Sequence, residues 1–111
     1  MKIIAIPVTS RSLCPHFGHC EQFAVFKVSD KEVVHERYLN PPPHEPGVLP
    51  AFLAREGVTD VIAGGIGQRA INIFNKHGIN VYVGVDEKPA RQIIREFLDG
   101  ELKASANLCD H

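Results

Sequence analysis

The sequence predicts an α/β fold, with a five-stranded mixed sheet that carries helices on its faces. In the second half of the chain, short continuous apolar runs, typical of buried strands, alternate with amphipathic helical segments. This alternation implies parallel strands joined by right-handed crossovers. The first half instead contains two strand-like segments separated by a short polar turn, the pattern of a β-hairpin. With 111 residues, 44% of them hydrophobic, the chain has the size of one domain with one core.

The individual elements follow from local patterns. Short runs rich in β-branched residues predict strands, and apolar residues three and four positions apart that stop at a glycine predict helices. The predicted strands cover residues 3–8, 23–28, 32–39, 60–63 and 80–83. The predicted helices lie within 48–56, 68–77 and 90–99. The four prolines of residues 40–47 exclude regular structure there, and residues 101–111 are expected to form a flexible tail of this single domain, 1–111.

Composition argues against several partners and locations. A net charge of -1 and a pI near 6.6 leave no excess of positive charge for nucleic-acid phosphates. No segment approaches the roughly 20 apolar residues that cross a bilayer, and the start of the chain lacks the pattern of a secretory leader. Three cysteines without the spacing of a disulfide framework fit a reducing compartment. We therefore expect a soluble, cytoplasmic protein that binds neither nucleic acid nor membrane.

Groups that bind metals are concentrated in one predicted loop. The stretch Cys14-Pro15-His16-Phe17-Gly18-His19-Cys20 contains two thiols and two imidazoles, and the chain ends in Cys109-Asp110-His111. Thiolates and imidazoles are ligands for transition metals and metal–sulfur clusters. The predicted metal ligands are Cys14, His16, Cys20, Cys109 and His111.

The predicted topology brings this loop to a glycine turn. In open α/β sheets, ligands bind beyond the carboxyl ends of the strands, where the connections part in opposite directions. The loop that contains residues 14–20, here called the metal-type loop, leaves the first strand at that edge. The glycine turn, Gly64-Gly65-Ile66-Gly67, leaves the fourth strand at the same edge. The glycines permit close backbone approach, and the helix after them offers free N–H groups to an anion. Gly64, Gly65 and Gly67 are therefore expected to contact the cofactor, and the tail is long enough to reach the crevice in the same chain or across a dimer.

Simpler interpretations stay open for each of these residues. For His16, ligation is favoured over the alternative of a loop histidine that hydrogen-bonds the backbone and fixes the turn. The three glycines also fit a tight strand-to-helix connection. Cys14 and Cys20 fit a pair of small buried apolar residues or a reversible disulfide. Cys109 and His111 fit a frayed terminus without a role.

Three other functional interpretations are disfavoured: dinucleotide binding, a metal-dependent nuclease, and hydrolysis by a Ser or Thr nucleophile. Gly65-Ile66-Gly67-Gln68-Arg69-Ala70 matches the dinucleotide fingerprint, but it follows the fourth strand rather than the first. A nuclease with catalytic metal ions needs carboxylates on the central strands, whereas residues 2–8 have none and Asp60 begins its strand. No Ser or Thr near the crevice has an evident His-carboxylate pair. The sequence therefore predicts a protein that is not an enzyme.

Several segments, in this order and spacing, resemble the dinitrogenase iron-molybdenum cofactor biosynthesis (NifX-like) family. They are Cys14-Pro15-His16-Phe17-Gly18-His19-Cys20-Glu21-Gln22-Phe23, Gly64-Gly65-Ile66-Gly67 with Ala70, Gly78-Ile79-Asn80-Val81-Tyr82 and Phe97-Leu98-Asp99-Gly100-Glu101-Leu102. The resemblance implies a three-layer α/β/α fold of ribonuclease-H-like type. For nitrogenase-associated members it implies binding or carrying of the iron-molybdenum cofactor or a precursor, with His16 at the position of the family's histidine. The cysteines depart from the pattern of many members and suggest a subgroup whose ligand differs.

Two functional hypotheses follow. The first is a carrier of an iron–sulfur or molybdenum-containing cluster, or of a single Fe, Cu or Zn ion, which acts as a monomer or homodimer and delivers its cargo to a protein partner. The second is a thiol-redox regulatory or protein-interaction domain without bound metal.

Overall fold

The computed structural model of the chain describes residues 1–43 and 47–107. Strands and helices occur in the predicted order, with two short additions. The strands are β1 (Lys2–Thr9), β2 (Ser12–Leu13), β3 (Gln22–Ser29), β4 (Glu32–Leu39), β5 (Asp60–Ile62), β6 (Asn80–Val83) and β7 (Ser105–Asn107). The helices are α1 (Val48–Arg55), α2 (Gln68–Lys76) and α3 (Ala90–Leu98). Residues Phe17–His19 form one turn of 3₁₀ helix.

The sheet is mixed, and its strand order is β4-β3-β1-β5-β6-β7. Strands β1, β5 and β6 are parallel neighbours. The β3–β4 hairpin joins the other side of β1 through an antiparallel pairing that runs from Lys2 opposite Val28 to Val8 opposite Gln22. This arrangement confirms the predicted parallel centre and the predicted position of the hairpin.

The predicted number of five strands is wrong, because the sheet has seven within the described residues. Strand β2 folds back on the end of β1, and β7 pairs antiparallel with β6, from Ser105 opposite Val83 to Asn107 opposite Val81. These strands are two and three residues long, so neither has a periodic pattern; each is a strand because a sheet edge is available to it. Strand β7 lies within the expected tail. The ribonuclease-H-like type of the fold stays a prediction.

Two hydrophobic cores lie on opposite faces of the sheet, which makes the fold three-layered. Helices α1 and α2 cover one face, where the first core contains Ala5, Leu53 and Phe74. Helix α3 covers the other face, where the second core contains Ile4 and Ile93. Because alternate residues of β1 enter different cores, its continuous apolar run is explained, as the sequence predicts.

The helices are short and bury one face each. Helix α2 buries Ile71 and Phe74 over nine residues, and α3, also nine residues long, buries Ile93 and Ile94. Each helix is followed by a glycine with a left-handed backbone, as the sequence predicts, at positions 57, 78 and 100. In the part of the chain that the structure describes, no helix is long and apolar enough to cross a membrane.

Two tight turns place ordinary residues in the left-handed region. Ser10 and Arg11 join β1 to β2 with φ angles of 53° and 67°, and Asp30 and Lys31 join β3 to β4 with φ angles of 51° and 65°. Two residues with positive φ between paired strands form the turn whose twist matches that of a hairpin. The strand pairing therefore holds four residues in a conformation that L-amino acids disfavour by roughly 1 to 2 kcal/mol each.

Candidate functional site

The metal-type loop and the glycine turn are hydrogen-bonded to each other. The amide of Gly65 donates to the carbonyl oxygen of Pro15 at 3.1 Å, and the amide of Phe17 donates to the carbonyl oxygen of Gly65 at 3.2 Å. His16 and Gly65 thereby form a parallel bridge at the carboxyl ends of β1 and β5. The predicted meeting of these two segments is confirmed.

Both ends of the loop are fixed to β1. The amide of Cys14 donates to the carbonyl of Pro7 at 2.9 Å, and the amide of Glu21 donates to that of Val8 at 3.0 Å. The Glu21 carboxylate also accepts a hydrogen bond of 2.9 Å from the amide of Ser10. These hydrogen bonds fix the backbone at both ends of the loop relative to β1.

Phe17 fixes the middle of the loop to the first core. Its side chain is 7% exposed, and its ring centroid lies 5.5 Å from those of Phe23 and Phe74. Such tilted and edge-to-face contacts are favourable arrangements of aromatic rings. With Phe17 turned inward, the neighbouring His16 is exposed to solvent.

The three glycines of the turn differ in what surrounds them. A Cβ atom at position 65 would lie 3.1 Å from the carbonyl oxygen of Pro15, and one at position 64 would lie 3.3 Å from that of Val85. At these two positions a side chain would be tightly packed against backbone oxygen atoms, which would have to move by a few tenths of an ångström. A Cβ atom at position 67 would meet nothing within 4 Å, so Gly67 has open space in front of it.

A cleft of about 440 Å³ lies between the loop and the start of α2. The residues that line it are His16, Phe17, Gly18, His19, Gly65, Ile66, Gly67 and Ala70. None of these described residues carries a carboxyl group, and two carry imidazoles whose ring centroids are 6.2 Å apart. The first turn of a helix leaves amide groups without intrahelical partners and carries a partial positive charge. The cleft is therefore suited to a ligand that is anionic, binds imidazole, or both.

The two loop thiols do not line the cleft. Cys14 is 6% exposed, and its Sγ donates to the carbonyl oxygen of His16 at 3.3 Å. Cys20 is half-buried against the first core. Burial, and secondly the electrostatic effect of the nearby Cys14, raise the pKa of Cys20 from 9.0 to about 11. Both cysteines are free, and the Cys20 thiol is protonated near neutral pH.

The structure brings together only some of the residues that the sequence predicts as ligands. His16, Gly65 and Gly67 line the cleft, and Gly64 lies behind it. Across residues 1–43 and 47–107, no three His, Cys, Asp or Glu side chains are grouped so as to hold a metal ion.

The predicted ligands Cys109 and His111 lie outside the described residues. Strand β7 starts opposite Val83, near the carboxyl end of β6, and at Asn107 it lies opposite Val81. Over residues 105–107 the chain therefore runs away from the edge that carries the cleft.

Asp60 is a buried polar residue whose role the sequence does not reveal. It is 1% exposed at the start of β5, where its carboxyl group accepts hydrogen bonds from the Thr59 hydroxyl at 2.6 Å, the Asn80 amide at 3.3 Å and the Tyr82 hydroxyl at 3.5 Å. Burial and the neighbouring Asp60 raise the pKa of Tyr82. This network lies at the amino end of β5, opposite the cleft, and it ties β5 to β6. In the sequence, the only sign of this network is an acidic residue, Asp60, at the start of an apolar run.

Known proteins resemble this chain along nearly its whole length. The uncharacterized protein MJ0580 of Methanocaldococcus jannaschii is 32% identical, over 90% of this chain and 88% of its own. The crystal structure of PH0822 is 32% identical and superposes with a TM-score of 0.86, covering 93% of this chain and 94% of the other. The apo form of the orange protein from Desulfovibrio gigas shares the fold with a TM-score of 0.79 at 23% identity, covering 96% and 97%.

The family described as dinitrogenase iron-molybdenum cofactor matches residues 1–100. The match spans every element of the fold except β7 and includes both the loop and the glycine turn that form the cleft. It agrees with the resemblance found in the sequence. The chain belongs to the dinitrogenase iron-molybdenum cofactor family.

Proposed function

We propose that the protein carries a metal–sulfur cluster in the cleft between the loop and the glycine turn, and that His16 is its leading contact. The observation that carries this proposal is the backbone pairing of His16 with Gly65, which holds an exposed imidazole next to the start of α2. Membership of the family supports a role as an accessory protein for a cofactor of this kind.

The chemistry of the cleft suits an anionic cluster that contains iron or molybdenum. A neutral imidazole binds iron, copper and zinc through its unprotonated nitrogen. The free amides at the start of α2 and the positive end of that helix favour the negative charge of a sulfide-rich cluster. A single Fe, Cu or Zn ion bound by His16 is the simpler form of the same proposal.

The other predicted ligands belong to the proposal on different grounds. Cys14 and Cys20 lie beside His16, and thiolates are strong ligands for soft metals, although binding by Cys20 requires its proton to leave. Cys109 and His111 are proposed as further ligands from the sequence pattern alone. Gly67 is proposed as the point of closest backbone approach, because the space before it is open.

We assign the protein the role of a carrier rather than of an enzyme. A carrier has to release its cargo, so a protein that accepts the cluster is part of the proposal. The cytoplasmic location, the monomeric or homodimeric state and the absence of nucleic-acid and membrane partners stay predictions from the sequence.

The test is loading of the protein without air, with ferrous iron and sulfide and separately with tetrathiomolybdate. Bound metal per chain and the absorption spectrum are measured for the native chain, His16→Ala and His77→Ala. His77 is the matched control because it is exposed at the far end of α2. We expect His16→Ala to lower affinity at least about tenfold and His77→Ala to leave it unchanged. Unchanged stoichiometry and affinity in His16→Ala would refute the assignment.

The double variant Cys14→Ser with Cys20→Ser separates two forms of the proposal. Loss of metal in a chain that still unfolds cooperatively assigns the thiols as ligands together with His16. Retained metal in this variant, with loss in His16→Ala, assigns the cargo to the cleft alone.

A thiol-redox function is the second candidate, favoured by two free thiols, Cys14 and Cys20, that are near enough for Cys14 to raise the pKa of Cys20. In that function Cys14 and Cys20 form one S–S bond and release two protons and two electrons to a low-molecular-weight disulfide such as oxidised glutathione, which is reduced to two thiols. Mass spectrometry of metal-free protein in a glutathione redox buffer measures the reversible loss of two hydrogens. Protein that binds metal and shows no such bond supports the carrier function instead.

A further inference from the structure

A second, smaller cleft lies on the α3 side of the sheet. It has a volume of about 170 Å³, and the residues that line it are Arg11, Tyr38, Pro89 and Arg91. Tyr38 packs against the second core, on the face opposite the core that holds Phe17. Two of the four lining side chains are guanidinium groups. We call this surface the arginine cleft.

The fold holds Arg11 in place through its backbone. Arg11 occupies the left-handed turn between β1 and β2, and its carbonyl oxygen accepts a hydrogen bond of 3.0 Å from the amide of Ala90. Its guanidinium carbon lies 5.7 Å from the centroid of the Tyr38 ring, a cation–π distance. Among the described residues no carboxylate forms an ion pair with Arg11. Its charge is therefore positioned but not neutralised.

Arg91 is paired through only one of its nitrogens. Its Nε lies 3.2 Å from both carboxylate oxygens of Glu36, and the Tyr38 hydroxyl donates to the same carboxylate at 2.8 Å. The Arg91 side chain is 69% exposed, and no described acceptor binds its two terminal amino groups. These amino groups retain the donors that bind oxyanions in a bidentate manner.

The start of α3 adds a third donor at the same place. The amides of Ala90 and Gln92 donate to the carbonyl oxygens of Arg11 and Pro89. The amide of Arg91 lies in the same first turn, where no intrahelical partner exists and the helix dipole is positive. The lining of the cleft thus contains two guanidinium groups and no carboxylate, and the nearby Glu36 forms its ion pair with Arg91, so the local charge is positive.

We propose that the arginine cleft binds an oxyanion of the phosphate class, held between the guanidinium groups of Arg11 and Arg91. This site is separate from the proposed metal cleft and does not depend on it. Glu36 fixes Arg91 and leaves its terminal amino groups free, and the Tyr38 ring fixes Arg11. The ligand is either inorganic phosphate or the phosphate group of a small phosphate monoester.

The test is a titration of the isotope-labelled chain with inorganic phosphate, followed by NMR, at constant ionic strength maintained with chloride. We expect saturable shifts of the Arg11, Tyr38 and Arg91 signals, and about tenfold weaker binding in Arg11→Gln and in Arg91→Gln. Arg95→Gln is the matched control, because Arg95 is exposed on α3 and does not line the cleft. Equal weakening in Arg95→Gln, or shifts that do not saturate, would overturn the proposal.

Further ligands identify the source of the phosphate and test the ligand class. Glucose 6-phosphate that binds more tightly than inorganic phosphate assigns the site to a phosphate monoester, and equal affinity assigns it to the free ion. Acetate that binds as tightly as phosphate would contradict the phosphate class. Unchanged thermal unfolding of Arg11→Gln and Arg91→Gln shows that lost binding is not lost folding.

Discussion

The amide of Gly65 donates a hydrogen bond of 3.1 Å to the carbonyl oxygen of Pro15, and a side chain at position 65 would begin only 3.1 Å from that same oxygen. The contact between the loop and the glycine turn therefore depends on the absence of a side chain at one position. Because this contact forms one wall of the cleft, it links local packing to the proposed function.

Gly65→Ala is expected to separate the loop from the turn. The added methyl group pushes against a backbone oxygen and weakens the hydrogen bond, which lowers the free energy of unfolding by about 1 to 2 kcal/mol. Urea denaturation followed by circular dichroism measures this. An unchanged denaturation midpoint would contradict this prediction, because it would show that the loop accommodates the methyl group without any loss in the free energy of unfolding.

Gly67→Ser is expected to have the opposite effect on stability. Gly67 precedes α2 with extended backbone angles of φ -73° and ψ 153°, which suit a serine that caps the helix. The hydroxyl satisfies a free amide and raises the free energy of unfolding by a few tenths of a kcal/mol. The same cap occupies an amide that the proposed cargo uses, so metal loading should weaken. A variant that is more stable and loads normally would exclude this amide as a contact.

Phe17→Ala is expected to destabilise the whole chain, because the ring packs in the first core between Phe23 and Phe74. Removal of a buried phenyl ring costs about 3 to 5 kcal/mol in the free energy of unfolding. Phe17→Leu, which keeps most of the buried volume, should cost less than half as much. Equal losses in the two variants would indicate that ring contacts rather than volume hold the loop.

The reactivity of Cys20 should depend on pH in a way that reflects its burial. A pKa near 11 leaves little thiolate at pH 8, so alkylation by iodoacetamide should accelerate about tenfold per pH unit. The rate should level off near pH 11 rather than near 9. Peptide mapping of metal-free protein by mass spectrometry measures the rate at this residue.

Cys14→Ser is the matched variant for this pH profile. It removes the Cys14 sulfur, the second cause of the raised pKa of Cys20, but leaves the burial, which is the larger cause. The midpoint should therefore move down only part of the way toward 9.0. The raised pKa of Cys20 also makes the free energy of unfolding depend on pH. Because the pKa is higher in the folded state, the contribution of Cys20 to stability is complete below about pH 9 and is lost as the pH rises toward 11.

The longer elements of the fold could be predicted because their signals are local. The continuous apolar run of β1 and the polar turn of the β3–β4 hairpin are visible in a few residues each. Strands β2 and β7 could not be predicted, since Ser-Leu and Ser-Ala-Asn carry no pattern. They are strands only because the end of β1 and the outer edge of β6 offer unpaired backbone.

The position of the cleft could be predicted, but the direction of its side chains could not. Strand order alone brings the loop to the glycine turn. An irregular loop has no period that tells which side chains turn inward. Here Phe17 enters the first core, Cys14 is buried and Cys20 packs against the first core. The network around Asp60 could not be predicted for a related reason: besides the adjacent Thr59, its donors are Asn80 and Tyr82, which lie 20 and 22 positions away.

The segment from β2 through the loop has one anchor in each core, Leu13 in the second and Phe17 in the first. Because both anchors hold this segment in place, the cleft is already formed before the proposed cargo binds, and little conformational entropy of the protein is lost on binding. Displacement of this segment would require Leu13 or Phe17 to leave its core. In the carrier proposal, release of the cargo is therefore expected to depend on a recipient protein that competes for it at the open side of the cleft, and not on a movement of this segment.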